Sequence, residues 1–160
     1  HMSGELFNIA AGTQMTAVHY KGAGPALQDL VAGQGVHAIF DNMPSVIGHV
    51  RSGALRGLAV TSPKRSAALP DVPTLDEAGL KGYSVTAWFG VFAPGKTPVP
   101  VIEKLHREIV AVMSEPDAKA KLTELGAEPV LNSPAEFGAF VSNQIRTWKD
   151  VAQKAKISLD

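Results

Sequence analysis

Between residues 15 and 60 the chain alternates short apolar runs with helical stretches punctuated by glycine and proline, and this alternation narrows the fold more than any other feature. Residues 15–20 read as a strand. Gly22, Ala23, Gly24 and Pro25 form a turn, and Pro25 suits the first position of a helix over 26–32, because its missing N–H has no intrahelical partner there anyway. Gly33 or Gly35 stops that helix. Residues 36–40 read as a second strand, Asp41-Asn42-Met43-Pro44 opens a helix that closes at Ser52-Gly53, and 55–60 read as a third strand. Two strand–turn–helix repeats followed by another strand predict an α/β fold, with a mainly parallel sheet flanked by helices and right-handed crossovers.

The flanks differ in texture. Residues 3–12 read as a short helix ending at Gly12 without a convincing start, as if it were entered in its middle. Residues 63–73 are polar and turn-rich. Thr74-Leu75-Asp76-Glu77 has the spacing of a capping box, in which side chain and backbone at a helix start satisfy each other. Residues 84–92 form a longer apolar strand candidate, and a helix follows Thr97-Pro98, with Ile102, Leu105, Ile109 and Val112 at helical spacing. Glu115-Pro116 breaks it, and a shorter helix runs to Leu125-Gly126. Residues 128–131 suit a short edge strand. Ser133-Pro134-Ala135-Glu136 is a strong start for a last helix, whose apolar stripe is Phe137, Phe140, Val141, Ile145, Trp148 and Val151. Such a stripe must be buried against something. His1-Met2 is expected to be the remnant of a cleaved tag, outside the fold.

Composition removes several function classes. The 160 residues carry 15 basic and 15 acidic side chains, and no basic stripe points to nucleic acid. No apolar run approaches the roughly 18 residues of a membrane span. Cysteine is absent, so disulfides, thiolate metal sites and a cysteine nucleophile are excluded. None of these residues reads as a signal peptide, and the native start is expected to lie outside them. His19, His37, His49 and His106 show no metal-ligand spacing, and GxSxG, P-loop and GxGxxG patterns are missing.

The candidate binding residues lie at strand ends. In open parallel sheets ligands bind beyond the carboxyl ends of the strands. There the free N–H groups and the dipole of a following helix favour an anion. Tyr20, Lys21, Gly22, Ala23, Gly24, Pro25 and Ala26 occupy such a place. Their alternative role is an ordinary tight turn with Lys21 in solvent. Asp41 and Asn42 stand in the equivalent place one repeat later. There Asn42 could bond a ligand and Asp41 could cap the helix, capping being the leading role. Thr61-Ser62 is a third such place, again favouring a cap. Trp88 and Phe89 have core packing as their default role, with an aromatic wall beside a ligand as the alternative.

These residues sit in a wider pattern. Gly4-Glu5-Leu6-Phe7, Val18-His19-Tyr20-Lys21-Gly22 with Pro25-Ala26 and Asp29-Leu30, Phe40-Asp41-Asn42, Gly53-Ala54-Leu55-Arg56, Leu58-Ala59-Val60-Thr61-Ser62 and Lys64-Arg65-Ser66 follow one another in order. Most diagnostic is Ala68-Leu69-Pro70-Asp71-Val72-Pro73-Thr74 with Glu77-Ala78-Gly79. Trp88-Phe89-Gly90, Ala93-Pro94-Gly95, Gly126-Ala127-Glu128-Pro129 and Trp148 complete the series. The chain resembles the Bug, or TctC-like, proteins, the extracytoplasmic solute receptors of tripartite tricarboxylate transporters. His19 departs from the proline common there.

The resemblance implies two periplasmic-binding-protein-like α/β lobes closing on a small mono-, di- or tricarboxylate, or sometimes a nicotinate-like or amino-acid compound. Backbone amides, helix N-termini and water make the site. It implies a periplasmic location, membrane subunits of the transporter as partners, and no cofactor, metal or catalytic group. A two-lobed member needs roughly twice this length. Residues 3–83 are therefore expected to form the second lobe, incomplete at its start, and 84–160 the crossover strand and helices that return to a first lobe. Without that lobe, ligand binding is expected to be impaired, and the tail's apolar stripe invites a homodimer or segment-swapped oligomer. Two other functions compete. An enzyme on the same scaffold would have to use Asp41, Lys21 or Tyr20. An interaction module would dock through the charged face of the helix after Thr97.

Overall fold

The computed structural model describes residues 1–155. Six helices follow in order: α1 Met2–Ala11, α2 Ala23–Val31, α3 Met43–Arg51, α4 Val99–Ser114, α5 Pro116–Glu124 and α6 Pro134–Lys154. Their ends have local causes. Gly12 takes φ 65° and closes α1, donating to the Asn8 carbonyl, in the left-handed region where a side chain would be strained. Asn8 then holds the exit from α1: its Oδ1 accepts from Thr13 Oγ1 (3.0 Å) and Met15 N (3.0 Å), and its Nδ2 donates to the Met15 carbonyl (3.2 Å). Glu115-Pro116 separates α4 from α5, since the proline ring cannot follow a helical residue without a clash. Helix α6 opens on a complete capping box. Ser133 N and Oγ donate to Glu136 Oε2 (2.8 and 2.7 Å), and Glu136 N donates back to Ser133 Oγ.

The strands expected over 15–20, 36–40, 55–60, 84–92 and 128–131 form no ladder among the described residues. Parallel pairing survives only as the bridge between Val60 and Thr74. There Val60 N donates to the Pro73 carbonyl (2.8 Å) and Leu75 N to that of Val60 (3.0 Å), while Val85 N donates to Thr61 (2.8 Å). A parallel sheet is stable when both its faces are covered. Here Val18 and Leu58 remain 57% and 68% exposed, so the segments lack the packing that would draw them into register.

Burial is concentrated at Ala26 and Leu27 of α2, Ile47 of α3, Val60, Thr74, Tyr83 and Val151. The capping-box spacing at 74–77 is realised as a turn: Glu77 N donates to Thr74 Oγ1, and Glu77 Oε2 accepts from Thr74 N and from Arg65 Nε, both at 2.8 Å. A second cluster joins the tail. Trp88 meets Phe137 and Phe140 edge-on at centroid distances of 5.8 and 5.3 Å, and Phe92 lies 5.3 Å from Phe137. Gly90 lets the Phe137 ring approach the backbone, where any side chain would overlap it. Helix α6 also packs on α1. The stripe on α6 is thus only partly covered. Val151 is buried, but Ile145 is 63% exposed. The last five residues of the tail expected over 84–160 lie outside the described residues.

Candidate functional site

The loop after residues 15–20 turns at Gly22, whose φ of 110° only glycine adopts without strain. Helix α2 starts at Ala23, earlier than the proline signal suggests, so Gly22, Ala23 and Gly24 lie at its mouth. No side chain caps it. The first-turn N–H groups therefore point outward with the positive end of the helix dipole. Lys21 is exposed beside them, and Ala26 has its side chain buried, leaving only backbone to offer a ligand. Tyr20 turns away from the mouth: its hydroxyl donates to Asp29 Oδ2 at 2.7 Å. That bond, followed by burial and the Asp29 charge, raises the Tyr20 pKa above the ordinary phenol value.

Helix α3 repeats the arrangement. Asn42 occupies the N-cap with extended backbone but makes no side-chain cap bond. The capping role expected of Asp41 is replaced by a bond one residue along, Asn42 N donating to Asp41 Oδ1 at 2.7 Å. Asp41 Oδ2 is buried without a protein partner. At the third position the Ser62 hydroxyl donates to the Lys64 carbonyl and shapes a local turn.

The sequence reading expected α1 as a helix over 3–12 but not its place at this site. Its first turn lies across the ends of both segments. The His1 ring sits 4.8 Å from that of His19, Gly4 approaches Phe40 (3.7 Å from its Cβ direction to the ring), and Phe7 packs against Phe40 at 5.7 Å. Tyr83 fastens it there: the Tyr83 hydroxyl donates to the Ser3 carbonyl at 2.8 Å, and its ring meets Phe7 edge-on. Burial pushes the Tyr83 pKa up to about 12. The N-termini of α2 and α3 thus follow the tips of residues 15–20 and 36–40, and α1 packs against those tips. The contact between Ser3 and Tyr83 spans 80 positions, and nothing in either local sequence announces it.

Two shallow, open surface depressions lie elsewhere. One is bounded by Arg146, Lys149 and Asp150 on α6, the other by Ile109, Val112 and Met113 on α4. Trp88 belongs to the aromatic cluster, whereas Phe89 is bare. Among the described residues no three His, Cys, Asp or Glu side chains gather as a metal site, and no helix is long and apolar enough to cross a membrane.

Comparison with known proteins places this geometry in context. The profile described as "Tripartite tricarboxylate transporter family receptor" matches residues 1–157. Protein BugT of Bordetella pertussis is 36% identical over 159 residues, covering 99% of this chain and 48% of its own length. Among solved structures, R. palustris Rpa4515 with adipate superposes with a TM-score of 0.92 at 40% identity, over 99% of this chain and 52% of that one. The periplasmic binding protein BugD gives 0.88 at 36%, over 99% and 53%. The chain therefore follows the α/β path of these binding proteins, and it spans about half the length of the relatives it matches.

Proposed function

This chain belongs to the tripartite tricarboxylate transporter receptor family, and from that membership we propose that it is one lobe of a periplasmic solute-binding component that captures a small carboxylate. The observation that carries the reading is the pair of helix N-termini, those of α2 and α3, that follow residues 15–20 and 36–40 and lack side-chain caps. An anion is the ligand such a place stabilises, through N–H donors and aligned dipoles. The contacts come from the backbone of Gly22, Ala23, Gly24 and Ala26 and from Asn42. Lys21 adds a long-range attraction. Tyr20 and Pro25 shape the loop rather than touch the guest, and Asp41 holds the Asn42 amide. That Rpa4515 was solved with adipate supports a carboxylate as the class.

The chain spans half of its relatives' length, so half of the cleft's walls come from elsewhere, and the isolated chain binds weakly. Membrane subunits of a transporter are its partners in the complete receptor. Alone, its uncovered apolar surface drives two or more copies together. The test is an amide-shift titration of the chain with adipate. Fast-exchange shifts at Gly22, Ala23 and Asn42 with a millimolar dissociation constant are expected. Micromolar affinity would refute the half-site picture, and unshifted amides at saturating adipate would refute the anion site itself.

A further inference from the structure

Little holds the loop that carries the mouth of α2. Lys21, Gly22, Gly24 and Pro25 are exposed, and a side chain built at Gly22 or Gly24 would meet open space. Outside the helix itself, no backbone–backbone hydrogen bond among the described residues engages 16–25. Gly22, at φ 110°, is also the residue type whose backbone turns most freely. One side-chain hydrogen bond among the described residues crosses this hinge: the Tyr20 hydroxyl donates to Asp29 Oδ2 at 2.7 Å, in partly buried surroundings. Tyr20 stands before the N-cap, and Asp29 lies six residues beyond Ala23 in α2, about 9 Å along the axis at roughly 1.5 Å per residue. The bond therefore ties the end of residues 15–20 to the second turn of the helix and closes the loop between them.

We propose that Tyr20 and Asp29 form a latch that positions the Ala23 and Gly24 N–H groups for a ligand's carboxylate. The latch rests on the carboxylate reading above and adds to it the pair that holds its donors ready. Backbone donors bind an anion best when they are fixed before it arrives, since a loose loop loses its freedom on binding. Pro25 has no N–H to offer, and no side chain caps α2. The mouth therefore depends on the few N–H groups beside Gly22 and on where the hinge holds them. A hydrogen bond to an ionised carboxylate is stronger than one between neutral groups, which suits it to hold a hinge. Asp29 also puts a negative charge on the helix that receives an anion. Its distance of about 9 Å from Ala23 is close to the screening length at physiological salt, so that repulsion is largely damped. Both partners lie within residues 20–29, so the latch is complete in this chain and takes nothing from the rest of a longer receptor.

Nitrogen relaxation and adipate titration of the chain test this. Without ligand, the amides of residues 21–24 should have order parameters near the rigid value of about 0.85, and Tyr20→Phe should lower them below about 0.6. The same variant should bind adipate about fivefold more weakly, the fold-change of one net hydrogen bond, with helicity by circular dichroism unchanged. Asp29→Asn keeps an acceptor for the hydroxyl and should stay close to the wild type. Asp29→Ala removes the acceptor and should match Tyr20→Phe, and the two changes together should lose no more than either alone. Ser133→Ala, which removes a hydrogen bond at the start of α6, is the control and should move neither reading. Losses that multiply in the double variant overturn the proposal. So does Asp29→Ala binding adipate more tightly than the wild type, because Asp29 would then act through its charge. A Tyr20→Phe loop that stays rigid and binds as before overturns it as well. Wild-type amides that ignore adipate would instead refute the receptor reading. The order parameters alone then decide the latch: a loosened loop in Tyr20→Phe upholds it and a rigid one overturns it.

Discussion

Replacing Tyr83 by phenylalanine should leave α1 in place at neutral pH and change how the chain responds to alkali. Tyr83 is 5% exposed, and its hydroxyl donates to the Ser3 carbonyl. The variant keeps the ring and its contact with Phe7 and loses one hydrogen bond. Ser3 is partly exposed, so water can reach the freed carbonyl, and the cost is about 1 kcal/mol. Alkali reverses the balance. Burial holds the phenol in its neutral form, with the pKa raised from 10.0 to about 12. Below pH 10 both the folded and the unfolded chain keep the proton, and the full stability is present. Between pH 10 and 12 the unfolded chain releases it while the folded chain does not, so stability falls by about 1.4 kcal/mol per pH unit, roughly 2–3 kcal/mol in all. The Tyr83→Phe variant, having no phenol to ionise at this position, escapes that loss. The other ionisable groups are common to both proteins and cancel in the difference. Urea unfolding of the two proteins across pH 8 to 11.5 should therefore show the wild type more stable at first, the curves crossing near pH 11 by about the ratio of these terms, and the variant ahead beyond it. Parallel pH profiles would refute the claim that this hydroxyl is buried and fixes the start of α1.

Two further outcomes follow from the tail. Gly90→Ala places a methyl group against the Phe137 ring and should lower stability by about 1–3 kcal/mol. Combining it with Phe137→Leu should cost less than the sum of the single changes, read from denaturation midpoints, and strict additivity would mean the ring does not sit over Gly90. Ser133→Ala removes the cap of α6 and should cost about 1 kcal/mol, with amide exchange accelerated in the first turn after Pro134; unchanged exchange there would show that the box does not hold the helix end.

Much of this molecule's local punctuation is legible in its residues. Gly12 closing α1, Gly22 at the mouth of α2, Pro44 and Pro116 near helix starts, and the Ser133–Glu136 box all act within one helical turn. Steric rules for glycine and proline and the reach of a serine hydroxyl operate at that range, so composition and spacing determine them. The family pattern is equally a property of the sequence. What only the tertiary structure decided depends on partners far along the chain. Whether residues 15–20, 36–40 and 55–60 pair into a sheet depends on cover for both faces, and their alternation cannot report whether that cover is present. The bond from Tyr83 to Ser3 holds α1 against the candidate site, and the Asp29 carboxylate draws Tyr20 away from it. Each of those contacts pairs groups whose own surroundings are ordinary in sequence, because a hydrogen bond records distance in space and the order of residues records only distance along the backbone.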